Sequence, residues 1–136
     1  MAALAANRDT EQIGSFTLVE MPVKASTHIY KGALVSVDST GYLIPAADTA
    51  STVVVGVAYE EGDNSSGSNG DVTVRVMRGG IYRYDATSIT QAMIGATMYV
   101  KDDHTFDDSS SNSIACGKLV KYISATEGWI DITSAM

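Results

Sequence analysis

Cys116, His28 and His104 are the residues of this chain with the chemistry of a nucleophile and its base. A thiol nucleophile needs a neighbour that lowers its pKa and a further group that orients that neighbour. The segment ACGKLV around Cys116 supplies neither and reads as the entry to a strand with a small buried side chain. The run Asp102, Asp103, His104, Asp107, Asp108 is rich in carboxylates, the ligands of hard cations. Its spacing departs from the EF-hand pattern and no glycine stands where that loop turns, so it reads as a solvated turn between two strands. Gly62 and Gly67 have the spacing of a phosphate loop, but Ser68 and Asn69 replace its lysine and hydroxyl residue. A strand on either side leaves no helix N-terminus for a phosphate. Tyr82, Tyr84, Tyr122 and Trp129 are the material for a carbohydrate platform, yet at 7% aromatic content core packing is their expected use. The residues therefore predict no catalytic centre, no bound cofactor and no metal.

The arginines pose a different question. Three of the four, Arg75, Arg78 and Arg83, fall in DVTVRVMRGGIYRYD (71–85) of a chain with formal net charge −7. Val72, Val74 and Val76 alternate with Thr73, Arg75 and Met77 as a strand requires. Arg78 then arrives in the valine phase, where burial without a partner is too costly. Gly79 and Gly80 are expected to form a bulge or bend that brings Arg78 to the surface or to a carboxylate and resets the phase for the tyrosines. The arginines either neutralise the acidic stretches 60–63 and 102–108 or form one edge of a protein interface.

The elements that position these residues are strands. Charged residues make up 18% of the 136-residue chain, and 12 Gly accompany abundant Ser and Thr, a balance that suits strand surfaces and turns better than solvated helices. No apolar run reaches the roughly 20 residues of a membrane helix. The single cysteine excludes an internal disulfide, and the acidic balance argues against nucleic acid. A soluble protein made in the cytoplasm is expected.

Along the chain, residues 1–14 show no period and read as an extended arm, ordered only if something receives it. Residues 15–136 read as one β domain. Strands are predicted at 15–20, at 33–37 and 42–45 around the type I turn DSTG, and at 52–60. TVVVGVAYE carries apolar residues in both phases, which predicts burial on both faces, with Gly56 at a bulge. Residues 61–71 read as a mobile polar loop, and 86–95 as a short helix opened by Ser88 and Gln91. Further strands are predicted at 97–100, 114–124 and 128–133. The fold expected is all-β, an antiparallel jelly-roll-like sandwich or a small barrel.

Five segments, AANRDT (5–10), IYKGALVSVDSTGYLIPA (29–46), VGVAYEEGDNSSGSNGDVTVRVMRGGIYRY (55–84), IGATMYVKDDHTF (94–106) and ACGKLVKYISATEGWIDI (115–132), cover most of the chain. In this order the chain resembles the capsid cement or head decoration proteins of tailed bacteriophages and prophages. The distinctive pieces are Asn7-Arg8-Asp9-Thr10, the loop from Asp63-Asn64 to Gly70-Asp71, Arg78-Gly79 before an aromatic strand, Asp102-Asp103, and Gly128–Ile132. Tyr82 and Phe106 stand where that family often has Phe and Val, swaps that keep strand propensity. The resemblance implies a non-enzymatic virion protein on the capsid exterior, with the major capsid protein and itself, as homodimer or homotrimer, for partners. Asn7, Arg8, Asp9, Thr10, Asp63 and Asn64, with Arg75, Arg78 and Arg83, are the expected interface residues. Removal of residues 2–13 is expected to weaken capsid attachment and leave the fold intact. The other reading is a β domain of a phage tail or surface adhesin that recognises carbohydrate or a host receptor.

Overall fold

Short runs of β-branched and aromatic residues, broken every few positions by Gly, Asp, Asn or Ser, leave the chain little but strands to form. The structure, a computed structural model, describes residues 2–13 and 15–135. In chain order the strands are β1 (Gln12–Ile13), β2 (Thr17–Pro22), β3 (Thr27–Ile29), β4 (Leu34–Val37), β5 (Leu43–Pro45), β6 (Val53–Ala58), β7 (Gly62–Asn64), β8 (Thr73–Arg78), β9 (Ile81–Ala86), β10 (Thr97–Asp102), β11 (Thr105–Asp107), β12 (Ala115–Ser124) and β13 (Glu127–Asp131). Among the described residues, helix is confined to two 3-10 turns, Gln91–Met93 and Ile132–Ala135.

The fold is all-β. β9, β11, β10, β12 and β13 pair in that order, and β13 returns to β9, closing a five-stranded barrel. Only β9–β11 is parallel; the other barrel pairs are antiparallel. A second, antiparallel sheet runs β2-β8-β6-β4-β5, and β3 pairs with β7. Closure leaves the barrel with no free edge, whereas the open sheet must end in edge strands.

Two apolar cores follow from this arrangement. One joins Tyr82, Tyr84, Met98, Val100, Phe106, Leu119 and Ile130 of the barrel to Leu34, Val54, Val57 and Met77 of the open sheet. The other lies on the far face of that sheet, among Ile29, Val35, Leu43, Val55, Val74 and Val76. β6 therefore contributes to both cores, as its sequence requires. Val35 pairs with Gly56 while Ser36 pairs with Val54, so an extra residue is accommodated and the phase of β6 changes at the expected bulge. A Cβ on Gly56 would stand 2.3 Å from the Met77 carbonyl oxygen, which is why this position takes no side chain.

The hairpin around Asp38 forms as predicted, with Gly41 N–H donating to the Asp38 carbonyl at 3.0 Å. Other expectations are corrected. The helix expected over 86–95 is reduced to the 3-10 turn Gln91–Met93: Ala86 belongs to β9, and the N–H groups of Ala86 and Ile89 donate to Thr126 and Ala125 carbonyls. Those bonds to a distant turn hold the segment against the barrel, where Ile89 is buried. The polar stretch 61–71 is not a free loop. Gly62–Asn64 pairs with β3, and the buried Asn64 amide faces the carbonyls of Val23, Lys24 and Ser68. Nor is 101–108 a solvated turn, because Asp102 and Asp103 are buried between β10 and β11.

Residues 2–13 are received by their own chain. Arg8 N–H donates to the Lys31 carbonyl at 2.7 Å, and Arg83 N–H to the Glu11 carbonyl at 2.9 Å. Gln12 and Ile13 then pair with Tyr82 and Ile81 on β9. Met1 and Gly14 of the expected arm, and Met136 of the expected domain, lie outside the described residues.

Candidate functional site

β8 and β9 are one run of chain shared between the sheet and the barrel. Gly79 and Gly80, at φ +91° and +99°, make the turn between them in a conformation that side chains resist. The β2–β8 register is unbroken from Pro22–Thr73 to Thr17–Arg78, so Arg78 keeps the phase of Val74 and Val76. It is exposed nonetheless. The glycine bend lies beyond Arg78 and does not re-aim it; it rephases the chain so that Tyr82 and Tyr84 enter the barrel core.

The other arginines are internal ties. Arg75 grips Glu60 through Nε and Nη2 at 3.0 and 2.9 Å and lies 5.0 Å from the centre of the Tyr59 ring. That fork holds the Glu60 carboxyl below the ordinary range. Arg83 Nε meets Glu127 at 2.9 Å, and its Nη1 meets Glu11 at 3.3 Å. Arg78 has no ion pair among the described residues. The partners of the other two are Glu60, Glu127 and Glu11, not the acidic stretch at 102–108.

The N-terminal motif is spent in the same way. Asn7 Nδ2 donates to Glu61 Oε1 at 3.0 Å and its Oδ1 accepts from Lys31 N–H at 3.0 Å. Arg8 donates to Asp85 Oδ2 and the Arg83 carbonyl, both at 3.2 Å, with its guanidinium 5.1 Å from the centre of the Tyr84 ring. Thr10 Oγ1 donates to the Gly32 carbonyl at 2.8 Å, which Tyr84 Oη also reaches at 2.6 Å. Asp9 projects into solvent and touches Lys31 at 3.1 Å. Asp63 holds the start of its own turn by accepting from Ser65 N–H at 3.0 Å, and Asn64 is 2% exposed inside the loop. A cleft of about 400 Å³ beside the arm is lined by Arg8, Thr10, Lys31, Tyr59, Glu60 and Glu61. Each charged residue lining it is already paired within the chain.

The nucleophile reading gains nothing from the fold. Cys116 is fully buried, and burial pushes its thiol up to about 12. His28 stacks on Tyr30 with Nε2 at 2.6 Å from Glu61. Of the aromatic residues, Tyr82 and Tyr84 are wholly buried and Trp129 is 8% exposed, so these three present no carbohydrate shelf.

The surface that the residue types did not announce is β2. It ends the open sheet, pairs with β8 over all six residues, and leaves Leu18 and Val19 40% and 39% exposed. Adjacent strand residues point to opposite faces, so apolar surface is offered on both. Phe16 precedes them and is likewise exposed. One signal was present in the sequence: apolar residues in both phases beside Pro22, a residue tolerated chiefly at sheet edges.

The turn after β10 is the second cluster. Asp103 Oδ1 accepts from Leu4 N–H at 2.9 Å, and His104 places Nδ1 2.8 Å from Asp85 and Nε2 2.7 Å from the Ala2 carbonyl. Burial, with the neighbouring Asp102 charge, pushes the Asp103 carboxyl up. Asp102-Asp103 stood out in the sequence, but not that they face the arm.

Compared with family models and with curated proteins, the chain matches none.

Proposed function

We propose that this chain is a virion structural protein that binds the outer surface of an icosahedral head and cements neighbouring major capsid proteins. Its segment order, similar to that of capsid cement proteins, supports the reading, and the observation that carries it is the exposed edge strand β2. An edge strand offers a row of backbone donors and acceptors that a partner strand can continue, with Leu18 and Val19 adding apolar contact on either face. The arm and the arginine ties hold the rest of the molecule in one shape, so little ordering cost attends docking. A net charge of −7 keeps free copies apart before a shell exists. Several copies engaging one shell, or a small symmetric oligomer, then multiply a modest single contact through effective concentration.

The test is co-sedimentation with capsids lacking the protein, using the full chain and the variant Leu18→Lys/Val19→Lys. The full chain should pellet with capsids, and the variant should lose about tenfold or more in occupancy at unchanged circular dichroism, the scale expected when central apolar contacts are removed. Absence of the full chain from the pellet refutes the capsid role. Equal occupancy of both proteins refutes β2 as the contact.

A further inference from the structure

The turn between β10 and β11 buries more negative charge than the protein's own donors satisfy. Asp102 is 8% and Asp103 2% exposed. Asp102 Oδ1 accepts from His104 N–H at 3.0 Å and lies 3.6 Å from His104 Nε2, but Oδ2 of the same carboxylate is buried with no partner among the described residues. A buried carboxylate oxygen without a donor or a cation is costly. One carboxylate oxygen each from Asp102 and Asp103 and one His104 ring nitrogen lie within 4.8 Å of one another. The Ala2 carbonyl oxygen stands 2.7 Å from Nε2 of that ring.

We propose that this turn is a divalent-cation site, with Asp102, Asp103 and His104 Nε2 as ligands and the Ala2 carbonyl closing the set. Mixed carboxylate and imidazole donors suit Zn²⁺ or Mn²⁺, whereas Ca²⁺ and Mg²⁺ favour all-oxygen cages. The surroundings are those of a supported site. His104 Nδ1 lies 2.8 Å from Asp85, the carboxylate that commonly orients a metal-bound imidazole from behind, and Arg8 holds Asp85 in turn at 3.2 Å. Leu4 N–H orients Asp103. Two carboxylates balance the dication, and the metal takes the place of the Nε2 proton. Because one ligand comes from Ala2 and three from the end of β10 and the turn after it, the ion would fasten the start of the arm to β10 and β11. Nothing in this depends on whether the protein binds a capsid.

The experiment strips the full-length protein with chelator and titrates it calorimetrically with ZnCl₂, MnCl₂, CaCl₂ and MgCl₂ in turn. The same protein and Asp102→Asn are then followed by thermal unfolding. One equivalent of Zn²⁺ or Mn²⁺ should bind and raise Tm, and Asp102→Asn should weaken binding by at least about tenfold, as loss of a direct ligand exceeds loss of a supporting contact. His28, with Glu61 and Asp63 beside it, is another place for Zn²⁺ to touch, so binding that survives Asp102→Asn overturns the assignment. Binding of none of the four ions, or of Ca²⁺ or Mg²⁺ alone, overturns it equally. Should Asp102→Asn not fold, His104→Gln carries the same comparison, with Mn²⁺ electron spin resonance of the unmodified protein as the readout independent of stability.

Discussion

Residues 2–13 and strand β2 are consecutive peripheral segments, yet the fold treats them in opposite ways. The arm has no period, lies outside the main strands, and is tied to the barrel by Arg8 and the Leu4 amide and to Glu61 and Gly32 by Asn7 and Thr10. β2 is a regular strand with a full ladder to β8, but five of its six residues remain exposed. Backbone pairing and side-chain burial are separate quantities here. A segment without period can be anchored by specific polar contacts, and a well-formed strand can be left with unspent apolar surface.

Deleting residues 2–13 should have the largest effect, because it strips donors from Asp103, Glu61 and the Gly32 carbonyl at once. At roughly 1 kcal/mol per lost hydrogen bond, the loss in urea unfolding should reach about 3 kcal/mol. This revises the expectation that the fold would be indifferent to the arm. An unchanged urea midpoint would show that the arm rests on the barrel without stabilising it. Tyr84→Phe should come next. It removes a buried hydroxyl that donates to the Gly32 carbonyl at 2.6 Å, and the cost should be about 1–2 kcal/mol. Leu18→Ser/Val19→Ser should move stability by less than about 1 kcal/mol per residue, since Leu18 and Val19 are already 40% and 39% exposed. If this pair of substitutions costs more than the arm deletion, the contrast between the two segments fails.

The smallest expected effect concerns pH. Lys24, just beyond β2, pairs with Asp38, and with Thr40 it lowers that carboxyl from 3.8 to about 2. A carboxyl lowered by folding contributes stability above its unfolded pKa and loses it as pH falls through the folded value. The contribution should thus be complete above about pH 4 and gone near pH 2, with Asp38→Asn flattening that part of the acid-unfolding profile. A profile identical in Asp38→Asn would remove the pair from any role in stability.

Features that depend on neighbours in the chain were legible in advance. The turn from Asp38 to Gly41, the two-faced apolar pattern of β6, the bulge at Gly56 and the buried thiol of Cys116 each follow from local residue type. The misread stretches were those whose partners lie far away. Residues 86–95 have helix-like spacing, but the turn at Ala125 and Thr126 accepts from the Ala86 and Ile89 amides and holds the segment against itself. Asn64 reads as a polar loop residue until the carbonyls of Val23 and Lys24 close around it. Asp102 and Asp103 look solvated until β10 and β11 fold with the arm over them.

Residue type and order alone determined that this is a strand protein, where its hairpins turn, and that three of its four arginines sit on one kinked run, because sterics and alternation act over a few residues. Which strands close into a barrel, which edge stays open, and which carboxylates lose their water were decided only in three dimensions. Those outcomes depend on pairing between residues as distant as Leu4 and Asp103, and a hydrogen bond across 99 positions leaves no local pattern to read.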